Sequence, residues 1–167
     1  MHTDRQTDKQ TDKQTNAGKN ITFLAKVING IRIKQSSSFV YLGSTITQDA
    51  RCNKEIEKRI IIAKNAFNSM KTLLKNNNLG IQTRVRALKT YIWSTLTYGS
   101  ETWTLNKALK NKINAAEMWF YRRMLRISWV DRVTNEEVLE RVGQGRALLG
   151  TIMRRQMEFL GHIIRRN

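Results

Sequence analysis

The sequence predicts a mainly α-helical chain, a helical bundle preceded by a small antiparallel β-hairpin and strand piece. Three observations carry that prediction. From Ile56 onward apolar residues return every three or four positions, the spacing of one helix face. Ahead of them lie short β-branched and aromatic runs punctuated by the turn pair Asn29-Gly30. Ahead of those, Thr-Asp-Arg-Gln and Thr-Asp-Lys-Gln repeat with nothing apolar to bury.

Residues 1–20 are expected to form a disordered low-complexity tail. The genetic code gives the repeat a second meaning. The tetranucleotide ACAG, read in triplets, encodes Thr-Asp-Arg-Gln, and one base change yields the lysine version. A reading frame that begins inside simple-repeat DNA beside a truncated element is therefore expected, with a natural solvated tail as the alternative.

Residues 21–48 form the β piece. Thr22–Ile28 and Ile31–Lys34 flank Asn29-Gly30, whose tolerance of positive φ suits a type I′ turn, so a two-residue hairpin is predicted. Ser36–Ser38 connect it to Phe39–Ile46, which reads as a third strand bent at Gly43. Phe39 and Tyr41 then belong either to a sheet core or to an open, aggregation-prone face.

Residues 49–130 form the basic helical body. A first helix, about 53–76, carries Ile56, Ile60, Ala63, Phe67, Met70 and Leu74 on one face, capped by Asp49 or Asn53 and favoured at its start by Glu55 and Glu57. Lys58, Arg59 and Lys64 fall mostly off that stripe. Asn76-Asn77-Asn78 and Gly80 end it. A second helix, about 83–97, points Val85, Leu88, Ile92 and Leu96 inward and Arg84, Arg86 and Lys89 outward. Asn106 caps a third, to about residue 127, with Leu109, Ile113, Ala116, Phe120 and Leu125 inward and Trp119 and Met124 beside them. Arg122, Arg123 and Arg126 gather at its end, with Tyr121 and Trp129 close by as stacking surfaces.

Residues 131–167 form a helical extension. Thr134 and Glu137 make a capping box for a helix to about Val142, and Gly143 and Gly145 separate it from a last helix near 146–160.

Composition narrows the function. With 30 Lys and Arg against 13 Asp and Glu, the formal charge is +17, a salt-screened attraction for polyanions. RNA or DNA is the first candidate partner, ahead of an anionic membrane surface. Between Asn53 and Arg126 there are 15 basic and 4 acidic residues, so the charge sits on the helical body. One cysteine, Cys52, excludes an internal disulfide and any cysteine cluster for zinc. His162 has no ordered second histidine to share a metal. No apolar run approaches the ~20 residues of a membrane span, and the amino terminus lacks the core of a secretory signal. A nuclear or cytoplasmic setting is expected, with no small-molecule substrate.

Three motifs stand in order: Phe39-Val40-Tyr41-Leu42-Gly43-Ser44, then Tyr98-Gly99-Ser100-Glu101-Thr102-Trp103, then Gly161-His162-Ile163-Ile164-Arg165-Arg166. Together they resemble the C-terminal part of the endonuclease-reverse transcriptase of non-LTR (LINE-type) retrotransposons, from the end of the palm through the thumb. The resemblance implies that residues 21–48 leave the palm, that 49–130 are thumb-like, and that Tyr41, Leu42, Gly43 and Ser44 lie near the primer grip. It implies a parent enzyme performing magnesium-dependent, RNA-directed DNA synthesis. The middle motif is expected to lock helices together.

Nucleotide transfer needs carboxylates converging on two magnesium ions. Asp4, Asp8, Asp12, Asp49 and Asp131 are scattered, and no Asp-Asp pair, Walker loop or nucleophile elbow occurs. The chain is therefore expected to hold no catalytic residue, cofactor or metal of its own. The expectation is a truncated reverse-transcriptase fragment limited to template and primer binding, through Tyr41, Gly43, Lys58, Arg59, Lys64, Arg122, Arg123 and Arg126. The alternatives are a non-enzymatic basic module for nucleic acid or protein, and a relict with no retained function.

Overall fold

The structure is a computed structural model that describes residues 27–28, 31–32, 36–49 and 51–166. The repeat tail and the Asn29-Gly30 turn lie outside the described residues. The chain divides into two units, one ending at Ser36 and the other starting at Ser37.

In the first unit β1 (Val27–Ile28) pairs antiparallel with β2 (Ile31–Arg32), with Ile28 opposite Ile31. This is the register that the two-residue hairpin requires.

The second unit opens with a hairpin where the sequence suggested one bent strand. β3 (Ser38–Tyr41) pairs with β4 (Ser44–Thr47), Tyr41 opposite Ser44. Leu42 and Gly43 form the turn with φ of 46° and 79°. A type I′ turn needs positive φ at both positions, and leucine there is disfavoured, which is why the turn is hidden in the sequence. Phe39, Tyr41 and Ile46 stay exposed, so the open-face expectation holds and the sheet-core one does not.

Helix α1 (Asn53–Ser69) has Ile56, Ala63 and Phe67 fully buried, as its periodicity predicts. It stops short of residue 76. Ser69 donates its hydroxyl back to the Asn65 carbonyl (3.2 Å), a competing bond that bends helices. The backbone breaks at Met70 before α2 (Lys71–Leu74) resumes. Neither Asp49 nor Asn53 caps α1. Asp49 instead accepts from the Thr47 hydroxyl (2.6 Å) and the Arg51 amide (3.1 Å), which hold its carboxyl below its usual range. Cys52 occupies the cap position, its Sγ accepting from the Thr104 amide at 3.4 Å.

Helix α3 (Ile81–Ala87) runs into a widened π segment (Leu88–Trp93) and then α4 (Ser94–Leu96). Through this widened segment Leu88, Ile92, Trp93 and Leu96 are all buried. Arg84, expected outside, is buried and donates to the Met124 carbonyl (3.2 Å). Lys89 turns to the side chain of Gln144.

Helix α5 (Lys107–Met124) starts where predicted, the Asn106 side chain accepting from the Leu109 amide at 2.9 Å. It is the central element, packing on α1, on α6 (Asn135–Val142) and on α7 (Leu148–Arg165). The Thr134-Glu137 capping box opens α6, and Gly143 closes it at φ 73°. Beyond Gln156, α7 is mostly exposed, including Met157 and Ile164.

Two polar knots fix these helices. The first is the middle motif. Gly99 turns with φ 71°, the Gln156 amide donates to the Ser100 and Trp103 carbonyls (3.0 and 2.8 Å), and Arg155 donates to the Thr97 hydroxyl (2.8 Å). Glu101 pairs with Arg155 at 3.8 Å.

The second knot is Glu117, fully buried on α5. Its Oε1 accepts from the Ala147 and Leu148 amides (2.8 and 3.1 Å) and the Tyr121 hydroxyl (3.2 Å). A carboxylate from another helix thus caps α7, where the helix dipole favours negative charge. Burial, reinforced by the nearby carboxylate, pushes the Tyr121 hydroxyl up and keeps it a donor.

Glu117→Ala would strand two buried donors and a part-buried one, and at about 1–3 kcal/mol for each unsatisfied buried group it is expected to unfold much of the chain at room temperature, read by far-UV circular dichroism. Gly99→Ala would force an L residue into the left-handed region with its Cβ 3.0 Å from Ser44 Oγ, and should cost about 1–2 kcal/mol in urea unfolding.

Candidate nucleic-acid interface

Trp119, Arg122 and Arg123 stand three and four positions apart, and so share one face of α5. That face is opposite the one carrying Glu117, because residues two apart on a helix are rotated by roughly 200°. Trp119 is half-buried. Its indole is held edge-on by Phe67 and Phe120, with ring centroids at 5.6 and 5.3 Å. Two cations flank the ring, Lys64 Nζ from α1 at 5.1 Å and the Arg123 guanidinium at 5.4 Å.

Three grooves meet at this residue. The first, about 560 Å³, has Trp119, Ile127 and Val133 as its apolar lining and Arg122, Arg123 and Arg132 as its cations. A second, about 460 Å³, adds Arg146 and a set of asparagines. The third, about 510 Å³, runs along α1 past Lys64 and Lys112 to Ile60 and Ile61. The carboxylate of Glu57 lines only this last groove, where Lys112 neutralises it.

The arginine cluster read from the sequence divides. Arg122 lines the groove but is anchored, one nitrogen donating to the Val133 carbonyl (2.8 Å) and Asn135 Oδ1 (3.0 Å). Arg123 remains over the indole. Arg126 leaves the group: its backbone reverses at φ 60° and its guanidinium donates to the Lys75 carbonyl (2.9 Å). Tyr121, expected as a stacking surface, is fully buried beside Glu117. The Trp129 side chain lies outside the described residues. The stacking aromatic among these cations is Trp119, whose signal in the sequence is its three-and-four spacing to Arg122 and Arg123. Arg132 and Arg146 sit in separate loops with no local pattern to mark them.

The other four candidates meet at the junction of hairpin and α1. Arg59 is 8% exposed and bonds Glu55 at 2.6 Å and the Gly43 carbonyl at 2.7 Å, with its guanidinium 4.5 Å from the Tyr98 ring centroid. Lys58 donates to Thr45 Oγ1 (3.2 Å), and the Thr45 amide donates to Glu55 (2.6 Å). Tyr98 donates to the Leu42 carbonyl (3.0 Å). Gly43, Lys58 and Arg59 are thus tied into an internal clamp, and Tyr41 is left exposed at its edge.

Burial pushes the Glu55 carboxyl up, but the Arg59 guanidinium and the Thr45 amide outweigh it and hold the group below its ordinary value of 4.5. A carboxylate depressed in the folded state adds stability that is present above its ordinary value and is lost as pH falls through the lowered one. Glu55→Gln should therefore melt below the parent chain at pH 7, and the gap should narrow in melts taken down to pH 3.

Among the described residues no cluster of three or more His, Cys, Asp or Glu could hold a metal ion, and no helix is long and apolar enough to cross a membrane. The fold and grooves define a basic helical chain with a β-hairpin packed at its start. It is similar to an uncharacterized transposon-derived protein of Caenorhabditis elegans, with 30% identity over 131 residues. That alignment covers 77% of this chain and 47% of the relative, so the chain spans about half the length of the protein it matches. No family model and no solved structure matches the chain.

Proposed function

We propose that the chain is a transposon-derived fragment of a reverse transcriptase whose retained activity is to bind the backbone of template or primer nucleic acid. The observation that carries this reading is the convergence of Lys64, Arg123 and Arg132 on the grooves around Trp119, none of the three side chains forming a hydrogen bond or ion pair with another described residue. Cations without carboxylate partners keep their attraction for phosphate, and each phosphate they neutralise releases counterions. The similarity to a transposon-derived protein supports the origin. The ordered motifs at Phe39, Tyr98 and Gly161 support the reverse-transcriptase assignment.

A second reading, a protein-docking module, is favoured by the exposed apolar residues Met157, Leu160, Ile163 and Ile164 at the far end of α7. A chain cut after Gln156 that keeps its full nucleic-acid affinity would place that end of α7 outside the nucleic-acid site, as this reading requires.

The test of the primary reading uses Lys64→Ala, Arg123→Ala and Arg132→Ala together. Arg122 is spared because it holds the loop before α6. Titration of a labelled primer-template in increasing salt should show an affinity loss on the order of tenfold or more and a salt slope smaller by roughly 3, one for each phosphate contact removed. Unchanged affinity and slope would overturn the assignment.

A further inference from the structure

We infer that the groove beside Trp119 receives an unstacked base, and that the ligand of this face is single-stranded nucleic acid. The inference rests on the nucleic-acid reading above and names the strand state that reading leaves open. A surface that tracks a duplex needs cations alone, because the base faces of a duplex are covered by their neighbours. This groove has a different make-up. Its lining combines apolar surface from Trp119, Ile127 and Val133 with the cations Arg122, Arg123 and Arg132. Its volume, about 560 Å³, falls in the range of small-ligand pockets, about 300–1,000 Å³.

The indole is already set for stacking. Phe67 and Phe120 hold it edge-on at interplanar angles of 70° and 85°, fixing its plane without a stacked aromatic neighbour. The Arg123 guanidinium lies 5.4 Å from the ring centroid, looser than a close stack. Cation–π attraction at an exposed site is weaker than base–aromatic stacking, so an entering base displaces the guanidinium. Arg123 then covers the outer face of the base or takes its phosphate, while Arg132 meets the next phosphate along the strand. A single strand delivers both groups, an open base face and a flexible backbone.

The experiment measures binding of a 12-nucleotide oligo-uridylate, its DNA counterpart oligo-thymidylate, and a blunt duplex of equal length, by fluorescence anisotropy at fixed salt. Trp119→Leu should weaken both single strands by about tenfold or more while leaving the duplex within about twofold. The unchanged duplex value also reports that the variant is folded. If Trp119→Leu does not fold, Trp119→Phe replaces it, with a smaller single-strand loss expected and with loss of the tryptophan quenching expected of the parent when a base stacks on Trp119. Equal losses on single strand and duplex, or none on either, would overturn the inference while leaving the binding proposal standing. Failure of the parent chain to bind any of the three would overturn both. The uridylate and thymidylate arms tell which sugar the strand carries.

Discussion

The buried carboxylate of Glu117 is the interaction on which the arrangement of this chain depends. Removing a carboxylate from water costs several kcal/mol, and that cost is offset only where the geometry supplies donors. Here three donors converge on Oε1, while Oε2 is buried with no partner among the described residues. Those donors come from α5 itself and from the start of α7, so the one group sets both where α7 begins and how α5 is rotated. With Glu117 turned inward, Trp119 and Arg123 must face outward. The groove is thus positioned by a residue on the far side of its own helix.

Arginines do structural work throughout the rest of the fold. Arg59, Arg84, Arg122, Arg126 and Arg155 each donate to a backbone carbonyl, those of Gly43, Met124, Val133, Lys75 and Thr97. Met124, Lys75 and Thr97 lie at or just past helix carboxyl ends, where carbonyls lack intrahelical partners and the dipole favours cations. A guanidinium suits this role because its planar fork can reach a carbonyl while its stem packs on apolar surface. Five of the 30 basic side chains that read as a nucleic-acid signal are therefore architecture. The formal charge of +17 describes long-range attraction well and local contacts poorly.

This division explains which features were legible in the sequence. Periodicity marked the faces of α1 and α5 because burial of Ile56, Phe67, Ile113 and Phe120 follows from helical spacing alone. The caps at Asn106 and Thr134 were legible because the donors and acceptors lie within three residues of each other. The Leu42-Gly43 turn was not, since its strained leucine is held from a distance by the Tyr98 hydroxyl on its carbonyl. Tyr121 and Arg59 misled for a related reason. Each has a polar tip whose partner lies on its own helix face, Glu117 and Glu55, and a polar pair of that spacing reads equally well as a solvated surface. Glu117 left one trace, an acid standing between Ile113 and Phe120 on the core stripe.

The Trp119 face was the least legible because it is assembled from four parts of the chain: Lys64 on α1, Arg123 on α5, Arg132 after a short turn, and Arg146 before α7. No window of sequence contains them together. What separates this face from other exposed cations, such as Lys54 or Arg141, is the apolar concavity beneath the charge. Charge alone gives an affinity that falls with salt at a rate set by the number of phosphates neutralised. An indole in a groove adds a component that salt leaves largely intact, because stacking removes apolar surface from water and releases no counterions. In the proposed binding mode the two components reside in different side chains of one face, the cations setting the response to salt and Trp119 setting what persists when the cations are screened.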